Sequence, residues 1–194
     1  LFLTLSHALT SIAVSCKRAQ ALDVHFFVGC IAETPAKLEL SYRQSTQARA
    51  YAFPEQAAPV TTYEDVLAGK LLPCPEPPEE LLRDIPAAVQ CGSRAAFVQN
   101  CEALFAWFVE REIRDATFIR MCVLRLCYSI LKKPASDMPM SYYEFTNFQQ
   151  EIMAAASMEE LRACFENFVS LYWLRRQGEK PPRRILTERV SEVV

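Results

Sequence analysis

Pro73, Pro75, Pro77 and Pro78 fall within six residues, and no other feature of the sequence constrains its fold as strongly. Each proline removes a backbone donor and fixes φ, so the stretch 71–78 can continue neither a helix nor a central strand and reads as a linker. Ahead of it, strand and helix signals alternate; behind it, the pattern is helical throughout. The expected class is mainly α with a small α+β N-terminal part. A two-strand unit spans residues 1–70, the linker 71–78, a helical bundle 79–178, and 179–194 holds a second linker and the start of a further domain.

With 194 residues, 51% of them hydrophobic, the chain can bury a sizeable core. Twenty-one basic side chains against 23 acidic ones exclude the strongly basic face that phosphate backbones require, so no direct nucleic-acid binding is expected of this segment. Leu1 to Cys16 is apolar but interrupted by Ser6, His7, Thr10 and Ser11, and falls short of the ~20 apolar residues of a membrane span. It lacks the basic start and cleavage site of a signal peptide, and the absence of an initiator Met suggests a segment of a longer chain. A cytoplasmic location without membrane contact is expected. Among the eight cysteines, Cys16, Cys101, Cys122, Cys127 and Cys164 fall in apolar helical patterns, so free buried thiols are expected rather than a disulfide scaffold. No C-x-x-C pair occurs and only His7 and His25 could join a zinc site, so neither metal nor cofactor is expected.

Leu1, Leu5, Ala8, Leu9, Ile12, Cys16 and Ala19 recur at helical spacing and predict an amphipathic helix to about Leu22. Val24 to Ile31, rich in β-branched and aromatic residues, reads as a buried strand, with Gly29 marking a close approach. Pro35 opens a second helix, with Leu38, Tyr42, Ser45, Ala48 and Ala52 inward, and Val60 to Tyr63 reads as a second strand. After the linker, a helix over Glu79 to Gln90 should kink or split at Pro86 and stop at Gly92. Ser93 caps the next helix, which carries Phe97, Cys101, Leu104, Phe105 and Phe108; another follows Asp115, with Ile119, Cys122, Val123, Leu126, Cys127, Ile130 and Leu131. The capping boxes Ser141-x-x-Glu144 and Ser157-x-x-Glu160 start two more. Arg183 to Val194 reads as a last amphipathic helix, whose Leu186, Val190, Val193 and Val194 need a partner.

The stretch Val24 to Tyr63 resembles the second half of the degenerate GGDEF-like domain of bacterial transcription regulators. Val28-Gly29 ends a strand, a loop leads to Ser41-Tyr42-Arg43-Gln44-Ser45-Thr46-Gln47-Ala48, and a short strand ends at Tyr63. The helices that follow are similar to the segment joining such a domain to an AraC-type helix-turn-helix pair, and Arg183 to Val190 resembles the opening helix of that pair. The resemblance implies a regulatory, signal-transmitting and dimerising region. Its partners would be a second copy, an upstream sensor or receiver domain and a downstream DNA-binding domain beginning where this sequence stops. With no Gly-Gly pair in the sequence, diguanylate cyclase activity is not expected. The sheet strands that would precede Val24 are also missing, which leaves strand edges for another copy to cover.

The side chains themselves suggest no catalysis, and the chain is not expected to be an enzyme. His25 has no nucleophile patterned around it, and Asp84, Glu102, Glu110 and Glu112 interleave with Arg83, Arg94, Arg111 and Arg114 as solvated helix faces do. Tyr142, Tyr143, Phe145, Phe148, Tyr172 and Trp173 fit an aromatic core by spacing alone, and the Arg175 to Arg184 run fits a solvated hinge. An alternative function is a free-standing helical small-molecule-binding or adaptor module with a pocket at Phe105, Trp107, Tyr143 and Trp173. In the preferred reading, Ile185, Leu186 and Val190 lie on the signal-transmitting helix.

Overall fold

In the computed structural model, which describes residues 2–71, 74–132 and 141–176, the part before the prolines folds around two short parallel strands. Strand β1 (Phe26–Val28) pairs with β2 (Val60–Thr62), Phe26 opposite Val60 and Val28 opposite Thr62. Parallel pairing needs a crossover, and α2 (Leu38–Tyr51) supplies it after a single 3-10 turn at Pro35–Lys37. A Cβ at Gly29 would stand 1.9 Å from the Ser41 carbonyl oxygen, so only glycine lets the strand end and the helix touch. Ser41 Oγ donates to the Cys30 carbonyl at 2.7 Å, and the Cys30 amide donates to Gln44 Oε1 at 2.9 Å. This close fit turns the small stripe Ser41, Gln44, Ser45 and Ala48 inward. Leu38 and Tyr42, expected on the inner face, are therefore 61% and 72% exposed.

Helix α1 (Phe2–Gln20) is turned by about one residue from its expected face, with Ala13 buried, Leu9 and Cys16 half-buried, and Leu5 and Ile12 exposed. Strand β2 stops at Thr62, and Tyr63, expected in the strand, opens α3 (Tyr63–Leu71) instead. The cause is a reciprocal cap. Asp65 Oδ2 accepts from the amide and hydroxyl of Thr62, while Thr62 Oγ1 accepts from the Asp65 amide.

Residues 74–78 have no regular structure, and the helices resume with α4 (Glu79–Cys91). It runs unbroken through Pro86 rather than splitting there. Pro86 is buried with Ile85, Ala88 and Val89, and packing against α5 (Arg94–Glu110) and α6 (Ala116–Leu131) offsets the missing hydrogen bond. Gly92, at φ +75°, ends the helix by passing its own amide and that of Ser93 back to the last turn. Ser93 holds the N-cap of α5 without a side-chain cap bond, whereas Asp115 caps α6 by accepting from the Thr117 and Phe118 amides. The capping box at Ser141 opens α7 (Tyr142–Ala154) with both bonds made. At α8 (Met158–Arg176) Ser157 Oγ accepts from the Glu160 amide, but the Glu160 carboxylate reaches the Ala156 amide.

The bundle core holds Ile85, Leu104, Phe108, Ile119, Leu126, Ile130, Phe165 and Phe168, each worth about 1.5–3 kcal/mol of burial. Phe53, from the first part of the chain, belongs to the same core. Cys101, Cys122 and Cys127 are buried within it; burial pushes the Cys101 thiol up to about 12 and the Cys122 thiol to about 11, so both stay protonated. Cys16, Cys30 and Cys164 are partly buried, and Cys74 and Cys91 are exposed.

Between α5 and α6 the chain turns through Glu112 at φ +51°, a left-handed conformation that a side chain with Cβ disfavours. Its amide bonds to the Val109 carbonyl and that of Ile113 to Phe108, the closure that Gly92 makes without strain. Glu112→Gly is expected to raise stability by about 0.5–1 kcal/mol, read as a higher denaturant midpoint with unchanged slope. A lower midpoint would mean that Glu112 makes contacts outweighing the strain.

Candidate functional site

Two sets of polar contacts connect the parts of the molecule, and both use cations within an apolar setting. In the first, α6 presents Arg120 beneath the α/β layer. Its guanidinium carbon lies 4.7 Å from the centroid of the Phe53 ring, and Nη2 donates to the Ala155 carbonyl, at the end of α7, at 2.7 Å. One half-buried side chain thus touches the α/β layer, its own helix and the α7–α8 junction. Desolvation lowers the Arg120 pKa from its ordinary value, with Asp115 acting in the opposite direction, and Nε is buried without a hydrogen-bond partner. A cation so placed is held by ring and carbonyl rather than by a carboxylate.

The second set lies at the end of α8. Trp173 Nε1 donates to the Val89 carbonyl in the last turn of α4 at 2.8 Å, and its ring meets Phe97 edge-on at 5.7 Å and the Arg94 guanidinium at 5.5 Å. Arg176 donates to the Gln90 carbonyl, and Arg175 to the Glu144 carboxylate at the start of α7. Cationic side chains satisfy carbonyls at a helix C-terminus well, because the partial negative charge of the helix gathers there. Arg162, farther back on α8, ties to Glu166 at 2.8 Å and to Glu102 of α5 at 3.3 Å.

Burial opposes ionisation of Glu144, but the amide and hydroxyl of Ser141 and the Arg175 guanidinium outweigh it and hold the carboxyl below its ordinary value of 4.5. A carboxyl depressed in the folded state stabilises it above the unfolded value, and this contribution is lost as pH falls through the folded one. Glu144→Gln is therefore expected to melt below the parent at neutral pH, with the difference closing below about pH 4. A constant difference at every pH would show that the carboxylate charge contributes nothing.

Known protein families, curated proteins and solved structures provide no match to this chain.

Of the four aromatic residues expected at a pocket, Phe105 is buried edge-on to Phe108, and Trp107 is half-buried with its ring 5.4 Å from that of Phe108. Trp173 is at the α4 contact, and Tyr143 is 73% exposed. Two clefts among the described residues, of about 470 and 530 Å³, are lined by none of them. Ile185, Leu186 and Val190 lie outside the described residues, as does the expected helix from Arg183. His25 borders a cleft of about 470 Å³ beside the Lys17–Asp23 ion pair, its Nδ1 3.3 Å from the Ala58 carbonyl. Among the described residues no three His, Cys, Asp or Glu side chains gather as metal ligands would, and no helix is long and apolar enough to cross a membrane. Sequence reasoning missed Arg120. A lone arginine in an apolar helical stripe is the available signal, but its partners are far away in sequence.

Proposed function

We propose that this chain is the non-catalytic regulatory region of a bacterial AraC-type transcription regulator, acting in the cytoplasm. It couples an upstream sensor or receiver domain to a downstream helix-turn-helix domain and dimerises, without itself holding DNA. The observation that carries this reading is the fixing of the last turn of α8 by α4 and α7, through Trp173, Arg175 and Arg176. A change in how α4 packs is passed directly to the chain leaving Arg176. Arg120 supplies the input side, since displacing Phe53 and the α/β layer disturbs the α7–α8 junction through one side chain. In a dimer, such shifts alter the spacing of two DNA-binding domains, on which recognition of paired half-sites depends.

The GGDEF-like resemblance draws support from the clasp of Gly29 and Cys30 with Ser41 and Gln44, which gives both parts of the motif a shared packing role. Dimerisation draws support from Ile31, Leu38, Leu40 and Tyr42, which are large, apolar and more than half exposed. Sedimentation velocity over rising concentration should show a monomer–dimer equilibrium. A strict monomer at high concentration, with no binding to flanking domains of the parent protein, would sink the reading.

A further inference from the structure

We propose that the cleft between the α/β layer and the α5–α6 turn binds a small organic carboxylate with an apolar body, its anionic end held by Arg111 and Arg114. This inference concerns binding by the chain itself and holds whether or not the protein regulates transcription. The cleft measures about 530 Å³, within the range of small-molecule sites. One wall is made of Ala52, Ala57, Ala58 and Ala68, side chains too short to fill the space, and the facing wall is the turn Arg111–Asp115.

The class of ligand follows from which polar groups are already engaged. Of the three carboxylates on the cleft, Asp65 accepts from the amide and hydroxyl of Thr62, and Asp115 accepts from two amides at the start of α6. Glu112 makes no side-chain hydrogen bond or ion pair among the described residues. Arg111 and Arg114 are both exposed, and neither makes an ion pair among the described residues. Thr61 also lines the cleft; it is 7% exposed, yet its hydroxyl makes no hydrogen bond among the described residues, and neither does that of Tyr51. Burial and the nearby Asp115 keep the Tyr51 phenol protonated, its pKa raised above the usual 10.0.

The unspent capacity of the cleft is therefore rich in donors, two guanidinium groups and two hydroxyls. A guanidinium offers paired N–H groups that match a carboxylate edge to edge. Two cations facing three carboxylates suit a monoanion better than a doubly charged phosphate. The alanine wall takes the apolar body. Such a ligand would touch the α/β layer and the bundle at once and favour the arrangement in which they are closed on it.

The test titrates the full 194-residue chain calorimetrically with benzoate, 3-phenylpropionate and hexanoate, and with benzamide and inorganic phosphate as controls. At least one acid should bind saturably with a Kd below about 1 mM, and benzamide and phosphate at least about tenfold more weakly. The variant combining Arg111→Gln with Arg114→Gln alters exposed side chains, should keep the parental circular dichroism melt, and should weaken the acid about tenfold or more. Thr61→Val, which preserves shape, should weaken it about threefold. The proposal is overturned if no acid binds up to roughly 10 mM, if benzamide or phosphate binds as well as the acids, or if the double variant binds unchanged.

Discussion

Gly29→Ala is expected to destabilise the α/β layer by about 3 kcal/mol, since an added Cβ cannot be accommodated without parting β1 from α2. The obstructing atom is the main-chain oxygen of Ser41, 1.9 Å from where the Cβ would stand, so trimming the serine side chain gives no relief. Moving the backbone to make room breaks the Ser41–Cys30 and Gln44–Cys30 hydrogen bonds, the two that fix helix to strand. Hydrogen exchange should locate the loss within residues 24–63, with α5, α6 and α8 retaining their protection. A variant that melts like the parent, alone or with Ser41→Gly, would refute the packing role assigned to the Val28-Gly29 pair.

Trp173→Ala should cost about 4 kcal/mol, because it empties a large buried site between α4, α5 and α8. Trp173→Phe separates the contributions. A phenyl ring retains much of the contact with Phe97 but cannot donate to Val89, whose carbonyl keeps only the longer bond from Gly92 at 3.2 Å. About 1–2 kcal/mol should be lost in that case. In the regulator proposed above, both variants should weaken the response to signal more than they weaken folding of the proposed DNA-binding domain, measured by reporter expression against operator affinity. Equal loss in both would show that the α4–α8 tie stabilises without transmitting.

The helices after the prolines were legible because their signals are local. Capping residues at Asp115, Ser141 and Ser157, the glycine stop at Gly92, and apolar stripes such as Ile119, Cys122, Val123, Leu126 and Ile130 each act over one or two turns. The first 71 residues were harder to read. Helix α2 places its small residues inward because Gly29 allows close approach, so a search for large apolar side chains picks the wrong face. Thr62-Tyr63-Glu64-Asp65 does carry a capping pattern, masked by the strand-like composition ahead of it. Arg120 and the cleft at Arg111 and Arg114 depend on residues brought together across 35 or more positions, beyond the reach of periodicity and spacing.

Pro86 leaves the Leu82 carbonyl of α4 without its intrahelical donor, at the middle of a helix otherwise held along its length. On one side lies the turn fed by Pro77 and Pro78; on the other lie the Val89 and Gln90 carbonyls that grip α8. Helix α4 therefore has its weakest backbone support at Pro86, between its proline-rich start and the carbonyls that hold α8, and relies there on packing against α5 and α6.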